Sequence, residues 1–319
     1  MSKALNGLRV SADNLARVQA AVEMLGYVPN VAARSMRGTP TRTIGIVRNM
    51  AFHPGAELFS MWNTMIQAME EHGYSVLISV ARQADSAVDT LLRPFFERRV
   101  DGLFYWNAQP APSLDRCLQA RIPVLALAYR AAGCGSLPLV TADPRKAYVE
   151  LFRSLRRYGH TAAIEITSGP AFASHADIAR VERVRLEQVD VDIDRAAVRE
   201  FVQSLMTDPG RPRAILARYP TALQVLDVCE ELGVRIPEDL SLVSITGSMS
   251  AGLLRTPLST VQTDFNRLGE VAAEAMISLI AGDSVGDIAI ADSVHWVPRD
   301  SHGIRADAKV PRPHRRTRP

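Results

Sequence analysis

Short apolar runs separated by amphipathic stretches fill the chain from residue 43 onward. TIGIVR (43–48), SVLISV (75–80), GLFYW (102–106), PVLALAY (123–129), AAIEIT (162–167), RAILAR (213–218), SLVSIT (241–246) and IADSVHWV (290–297) read as strands. Helical stretches lie between most of them, at 58–72, 86–98, 144–158, 196–206, 221–232 and 266–281. Near-continuous apolar strands that alternate with helices predict parallel sheets covered on both faces, an α/β fold. Eight such strands suffice for one wide sheet or for two narrower ones.

The pattern before residue 43 is different. Ser11 stands just ahead of a run with Leu15, Val18, Ala21, Val22 and Leu25 on one helical face, and Gly26 follows as a stop. Pro29 forbids continuation and Asn30 is able to cap a second, short helix over 31–37 that ends at Gly38. Thr39, Pro40 and Thr41 then read as a linker.

Composition adds little until charge is mapped along the chain. The 319 residues are 47% hydrophobic and 22% charged, ordinary for a globular protein with room for a sizeable core. Net charge is only +3. However, residues 1–42 hold six Lys and Arg against two acids, residues 305–319 hold six against one, and the middle is acidic. A basic arm on an acidic body suits contact with a polyanion through one end. The Pro-rich tail VPRPHRRTRP reads as disordered and without a partner. Cys117, Cys134 and Cys229 are scattered and form no paired motif, which suggests a reducing compartment. With no apolar leader and no long apolar run, the chain reads as cytoplasmic and not membrane-bound.

Several segments carry a family resemblance. MSKALNG, LGYVPNVAARSMRG and RTIGIV follow one another as do the end of the recognition helix, the third helix, the hinge helix and the first core strand of LacI-type transcription regulators. ERRVDGLF, RYGHTAAI, ELGVRIPEDLSLVSITGS and LLRTPLSTVQTDFNRLGEVAAEAMISLI continue the resemblance to about residue 300. It implies two flavodoxin-like lobes of the type I periplasmic-binding-protein kind, with the chain crossing between them near 159–162, near 262–266 and near 283, after the helix that ends near Ile280. The expected domains are a partial helix-turn-helix headpiece (1–29), hinge helix and linker (30–41), the two-lobed effector-binding and dimerisation core (42–304) and the basic tail (305–319). The family pattern carries further residues ahead of Met1, including the first helix of the helix-turn-helix. Met1 stands where that pattern has Val, so an N-terminally truncated headpiece is expected.

The resemblance also assigns roles. Ser2, Lys3 and Asn6 fall at the end of the recognition helix, and the alternative for them is a frayed terminus. Asn30, Ala32, Ala33, Arg34, Met36 and Arg37 fall on the hinge helix, with Met36 as the apolar wedge in the minor groove and the two arginines on phosphates. The implied partners are a double-stranded, palindromic operator and a second copy of the chain. In the interlobe cleft the likeness weakens. His175 stands near the family's ligand-binding Arg, Arg218-Tyr219-Pro220 replaces an Asn-Asp pair, and Thr246 stands near an Asp. By position, the effector residues are Phe52, His53, Trp106, Tyr129, His175, Tyr219 and Thr246, and each would serve equally as core or rim. Without its usual anchors the cleft would leave sugar hydroxyls unpaired at about 1–3 kcal/mol each, so the ligand is more apolar or there is none.

Enzyme motifs are missing. GCGSLP (133–138) is no dinucleotide loop, no G-x-S-x-G occurs, and the seven His show no metal-ligand spacing, so neither catalysis nor a cofactor is expected. Two function classes remain: a DNA-binding repressor, or a ligand-binding or signalling module of periplasmic-binding-protein fold that no longer binds DNA.

Overall fold

The computed structural model describes residues 11–25, 40–49, 57–81, 92–93, 95, 100–106, 112–128, 137–167, 175–191 and 194–303. Along the chain come α1 (Ala12–Leu25), β1 (Thr43–Asn49), α2 (Glu57–Glu71), β2 (Ser75–Ala81), β3 (Gly102–Trp106), α3 (Pro112–Gln119), β4 (Val124–Leu127), β5 (Leu139–Ala142), α4 (Arg145–Arg157) and β6 (Ala162–Thr167). Then follow α5 (Ala176–Val181), β7 (Arg185–Asp190), α6 (Arg195–Thr207), β8 (Ala214–Ala217), α7 (Tyr219–Leu232), β9 (Ser241–Ser244), a 3-10 turn (Met249–Leu253), β10 (Ser259–Thr263), α8 (Phe265–Ala281), β11 (Ile288–Ile290) and β12 (Val294–Val297).

The strands form two six-stranded sheets, ordered β11-β5-β4-β3-β1-β2 and β12-β10-β9-β8-β6-β7. All their pairings are parallel except β10 with β12. The first sheet is covered on one face by Met61, Met65 and Met69 of α2 with Leu268, Ala272 and Met276 of α8, and on the other by Leu92, Phe95, Leu114 and Cys117. The second is covered by Val198, Val202 and Leu205 of α6 with Ala222, Val225 and Val228 of α7, and on its other face by Tyr148, Leu151, Phe152 and Leu155 of α4 with Ala179 of α5. Burial pushes the Cys117 thiol up to about 11 and that of Cys229 up to about 12, so both are protonated core side chains.

Twelve strands stand where eight were expected. The additional ones are β5, β7 and β10; β7 (RLEQVD) is a half-exposed edge and β10 (STVQT) is mostly polar, so neither offers an apolar run. The run 290–297 is not one strand. Its first residue closes β11 on the first sheet and its last four form β12 on the second. Two of the three crossings also fall elsewhere than expected. The first lies between β5 and α4, near 143–144, because α4 packs on the second sheet; the third lies at 291–293, between β11 and β12. The second, at Asp264, is where it was expected. The crossings are tied together, since Asp143 N donates to Ile290 O at 3.1 Å and Asp264 N to Ser293 O. The carboxyl ends of β5, β10 and β11 therefore meet at the hinge.

Helix ends follow capping chemistry. Asp264 accepts from Arg267 N ahead of α8, and Asp194 accepts from Ala197 N ahead of α6. At the amino end of the first sheet, Asp101 accepts from Thr41 N, Thr41 Oγ1 and Arg42 N at 2.9, 3.0 and 2.7 Å, which anchors the chain where it enters β1.

At the far end of the second lobe, His302 is buried. Its Nε2 lies 2.9 Å from Ser154 Oγ and its Nδ1 2.7 Å from Ser259 Oγ, with Tyr158 and Trp296 edge-on to the ring. Burial holds its pKa below the ordinary imidazole value, aided by the charge of nearby His160 and opposed by a backbone bond at Arg299. As the pH falls below about 6.5, the unfolded chain takes up a proton that the folded ring resists. Stability present above that value is thus lost on acidification. The melting temperature should fall between about pH 7 and pH 5, and fall less steeply in His302→Gln; equal slopes would show that His302 is not the group responsible.

Candidate functional site

The carboxyl ends of strands that meet at a crevice are where an open α/β sheet binds ligands. On the first lobe that edge carries Trp106, the last residue of β3, whose ring lies 5.2 Å from that of Trp62 on α2 at a 37° tilt. Trp62 is only 5% exposed, so the pair joins the cleft edge to the lobe core.

On the second lobe, β8 ends at Ala217 and α7 begins two residues later. Pro220 fits this first turn because its missing N–H would be unpaired there anyway. Tyr219 N donates to Thr246 Oγ1 at 2.9 Å, and the Tyr219 hydroxyl lies 2.8 Å from Ser250 Oγ, which in turn lies 2.8 Å from Ser248 Oγ. Tyr219 and Thr246, chosen separately from sequence, are thus brought into direct contact, and a serine pair extends their chain of hydroxyls.

His175 sits at the amino end of α5 as part of a buried cluster. Its ring stacks on Tyr148 with centroids 3.6 Å apart and 12° between planes. Its Nδ1 lies 3.3 Å from Glu165 Oε1, and Gln188 Nε2 donates to Glu165 Oε2 at 3.0 Å. Glu165 is 5% exposed. Burial alone would raise its pKa; the hydrogen bonds from His175 and Gln188 and the charges of His175 and Arg218 more than offset this and hold it below the ordinary carboxylate value. Arg218, between β8 and α7, is drawn down by partial burial and held up by Tyr148 and Glu165. A carboxylate, an imidazole and a guanidinium thus converge under the carboxyl ends of β6 and β8.

Of the residues expected at the two sites, Trp106, His175, Tyr219 and Thr246 are placed. Ser2, Lys3, Asn6, Asn30, Ala32, Ala33, Arg34, Met36, Arg37, Phe52, His53 and Tyr129 lie outside the described residues. Sequence reasoning missed Glu165 and Tyr148. The signal for Glu165 was present, since AAIEIT sets one acid inside an otherwise apolar buried strand, and such an acid needs a partner. Among the described residues no three His, Cys, Asp or Glu side chains converge as a metal would require, and no helix is long and apolar enough to cross a membrane.

Four likenesses place this geometry. The model of the periplasmic binding protein-like domain family matches residues 130–302. The ribose operon repressor of Escherichia coli (strain K12) is 23% identical, over 83% of this chain and 83% of its own. A LacI family transcriptional regulator from Bifidobacterium animalis subsp. lactis superposes with a TM-score of 0.70 at 25% identity, covering 84% of this chain and all of that one. The lac repressor dimer bound to operator and the anti-inducer ONPF superposes with a TM-score of 0.73 at 21% identity, covering 94% and 93%. The family model spans more than half of the chain, and the chain belongs to the periplasmic binding protein-like domain family, with the fold of the LacI family regulator on which it superposes.

Proposed function

We propose that the chain is a DNA-binding transcription repressor of LacI type, acting in the cytoplasm as a homodimer on a palindromic operator, under the control of a small ligand held between its lobes. The observation that carries this reading is that a curated repressor matches over more than four fifths of both chains while the core has the two lobes and triple hinge of the family. The solved lac repressor is a dimer on its operator, and two-fold symmetry in the protein requires it in the site read.

DNA contact is assigned to Ser2, Lys3, Asn6 and the 30–37 segment, in which Met36 wedges between bases and Arg34 and Arg37 hold phosphates. Effector contact is assigned to the cleft edge, with Trp106 on one lobe, Tyr219, Thr246 and His175 on the other, and Phe52, His53 and Tyr129 beside them. A ligand that bridges the two edges would bias the angle between the lobes and so the spacing of the two hinge segments. The constellation at Glu165 is fully engaged within the lobe, and no catalytic step is assigned to it.

Selection of duplexes from a randomised pool by the full chain tests the reading. Enrichment of a two-fold symmetric site is expected, with a sedimenting mass about twice that of the 34.9 kDa chain. A monomer, or a pool that stays random, would count against it.

A further inference from the structure

A second concentration of positive charge lies at the opposite end of the core. In the second lobe the carboxyl ends of the strands face the hinge, and α4 runs back along the sheet before β6 begins, so its last turn stands at the far end. Arg156 and Arg157 are exposed on that turn, Arg153 just ahead of it, and Arg183 on the turn that follows α5. Together with Val181 and Glu182, three of these arginines line a concavity of about 350 Å³.

Glu182 is already engaged. Arg153 donates to both of its carboxylate oxygens, at 3.0 and 3.1 Å, and Arg156 reaches its backbone carbonyl at 3.4 Å. That leaves four guanidiniums against one satisfied carboxylate, with Glu150 a turn back toward the hinge. Arg183 has φ +59°, where glycine is the unstrained residue at a helix end, so what arginine adds there is its charge. The last described residue, Gly303, docks on Ser241 at this same end, and the sequence that follows it, 304–319, holds six Lys and Arg.

We propose that this α4–α5 corner is a second, sequence-independent contact surface for double-stranded DNA, opposite the N-terminal segment, so that one molecule can hold two duplexes. The proposal rests on the reading of the chain as a DNA-binding regulator. Phosphate is the favoured occupant because protein partners are anchored by buried aromatic and aliphatic side chains, and Val181 is the corner's one exposed apolar group. Exposed guanidiniums gathered around one concavity instead match phosphates.

The test uses the full chain, a short random-sequence duplex and a salt titration. The variant Arg156→Ala/Arg157→Ala/Arg183→Gly removes exposed charge and the long, exposed bond from Arg156 to the Glu182 carbonyl, and should melt close to the parent. Its salt slope should fall by about 2–3, at about 0.9 for each phosphate that is no longer neutralised. Parent protein saturated on a bead-bound duplex should capture a second, labelled duplex, and the variant should not. An unchanged slope with capture retained overturns the corner and leaves the N-terminal reading intact. An unchanged slope in Arg34→Ala/Arg37→Ala overturns the N-terminal assignment and leaves the corner intact. A parent that binds no duplex overturns both, and preferential binding of a poly-glutamate peptide over DNA overturns DNA as the occupant.

Discussion

Glu165→Ala should destabilise the protein by about 3 kcal/mol, the low end of the range for removing one partner from a buried charge pair. The carboxylate is the common acceptor for His175 and Gln188, and Arg218 and Tyr148 lie in its field. Without it His175 keeps its stack on Tyr148 but has no carboxylate to pair with, and Arg218 is deprived of the negative charge that offsets its own desolvation. Glu165→Gln keeps the shape and one acceptor and should cost clearly less. Urea titration should move the midpoint with an unchanged slope in denaturant if only native-state interactions are removed. Because the folded pKa of Glu165 is depressed, its contribution is present above the unfolded value of about 4.3 and is lost as the pH falls through the folded one, so the gap between parent and variant should close in acid. Equal stability of Glu165→Ala and parent at neutral pH would show that the cluster is not a structural unit.

Gly269→Val should cost about 2–3 kcal/mol by overpacking. Gly269 lies inside α8, where valine is ordinarily the better helix residue by a few tenths of a kcal/mol. Space decides the sign here. A Cβ on Gly269 would meet the Met61 carbonyl oxygen at 2.8 Å and Thr64 Cβ at 3.1 Å, both on α2. Those are helix backbone and a short stiff side chain, so relief requires α2 and α8 to move apart. Met61 adjoins Trp62, and Trp62 meets Trp106 at the cleft edge, so displacement should also change the fluorescence of a chain with only three tryptophans. Parent-like melting and emission would mean that the two helices slide without strain.

How far the sequence foretold this can be traced through particular segments. GLFYW and AAIEIT were legible to the residue, because parallel strands buried on both faces must be apolar throughout. RLEQVD was not, because an edge strand needs only one covered side and its polarity is that of a loop. The amphipathic run that became α4 was legible as a helix, but which sheet it covers is a long-range matter that no local pattern encodes, and the first crossing was misplaced for that reason. At the site, Tyr219 and Thr246 were reached through family likeness, and their contact then followed from the fold. The partners of His175, Glu165 on β6 and Tyr148 on α4, lie ten or more residues away, beyond the reach of any motif.

The first lobe owes two of its elements, α8 and β11, to the last part of the chain. During synthesis α2 emerges some two hundred residues before α8, the helix that covers it, and β5 waits as a sheet edge for β11. Until residues 265–290 leave the ribosome, Met61, Met65 and Met69 have no lid, and the first sheet ends in an open strand of the sort that pairs with neighbours. The nascent first lobe should therefore be a client for holding chaperones through most of translation. A fragment cut at either of the first two crossings inherits the same exposed face, and one cut at the third strips β12 from the second sheet, so the two lobes are separable in space but not along the gene.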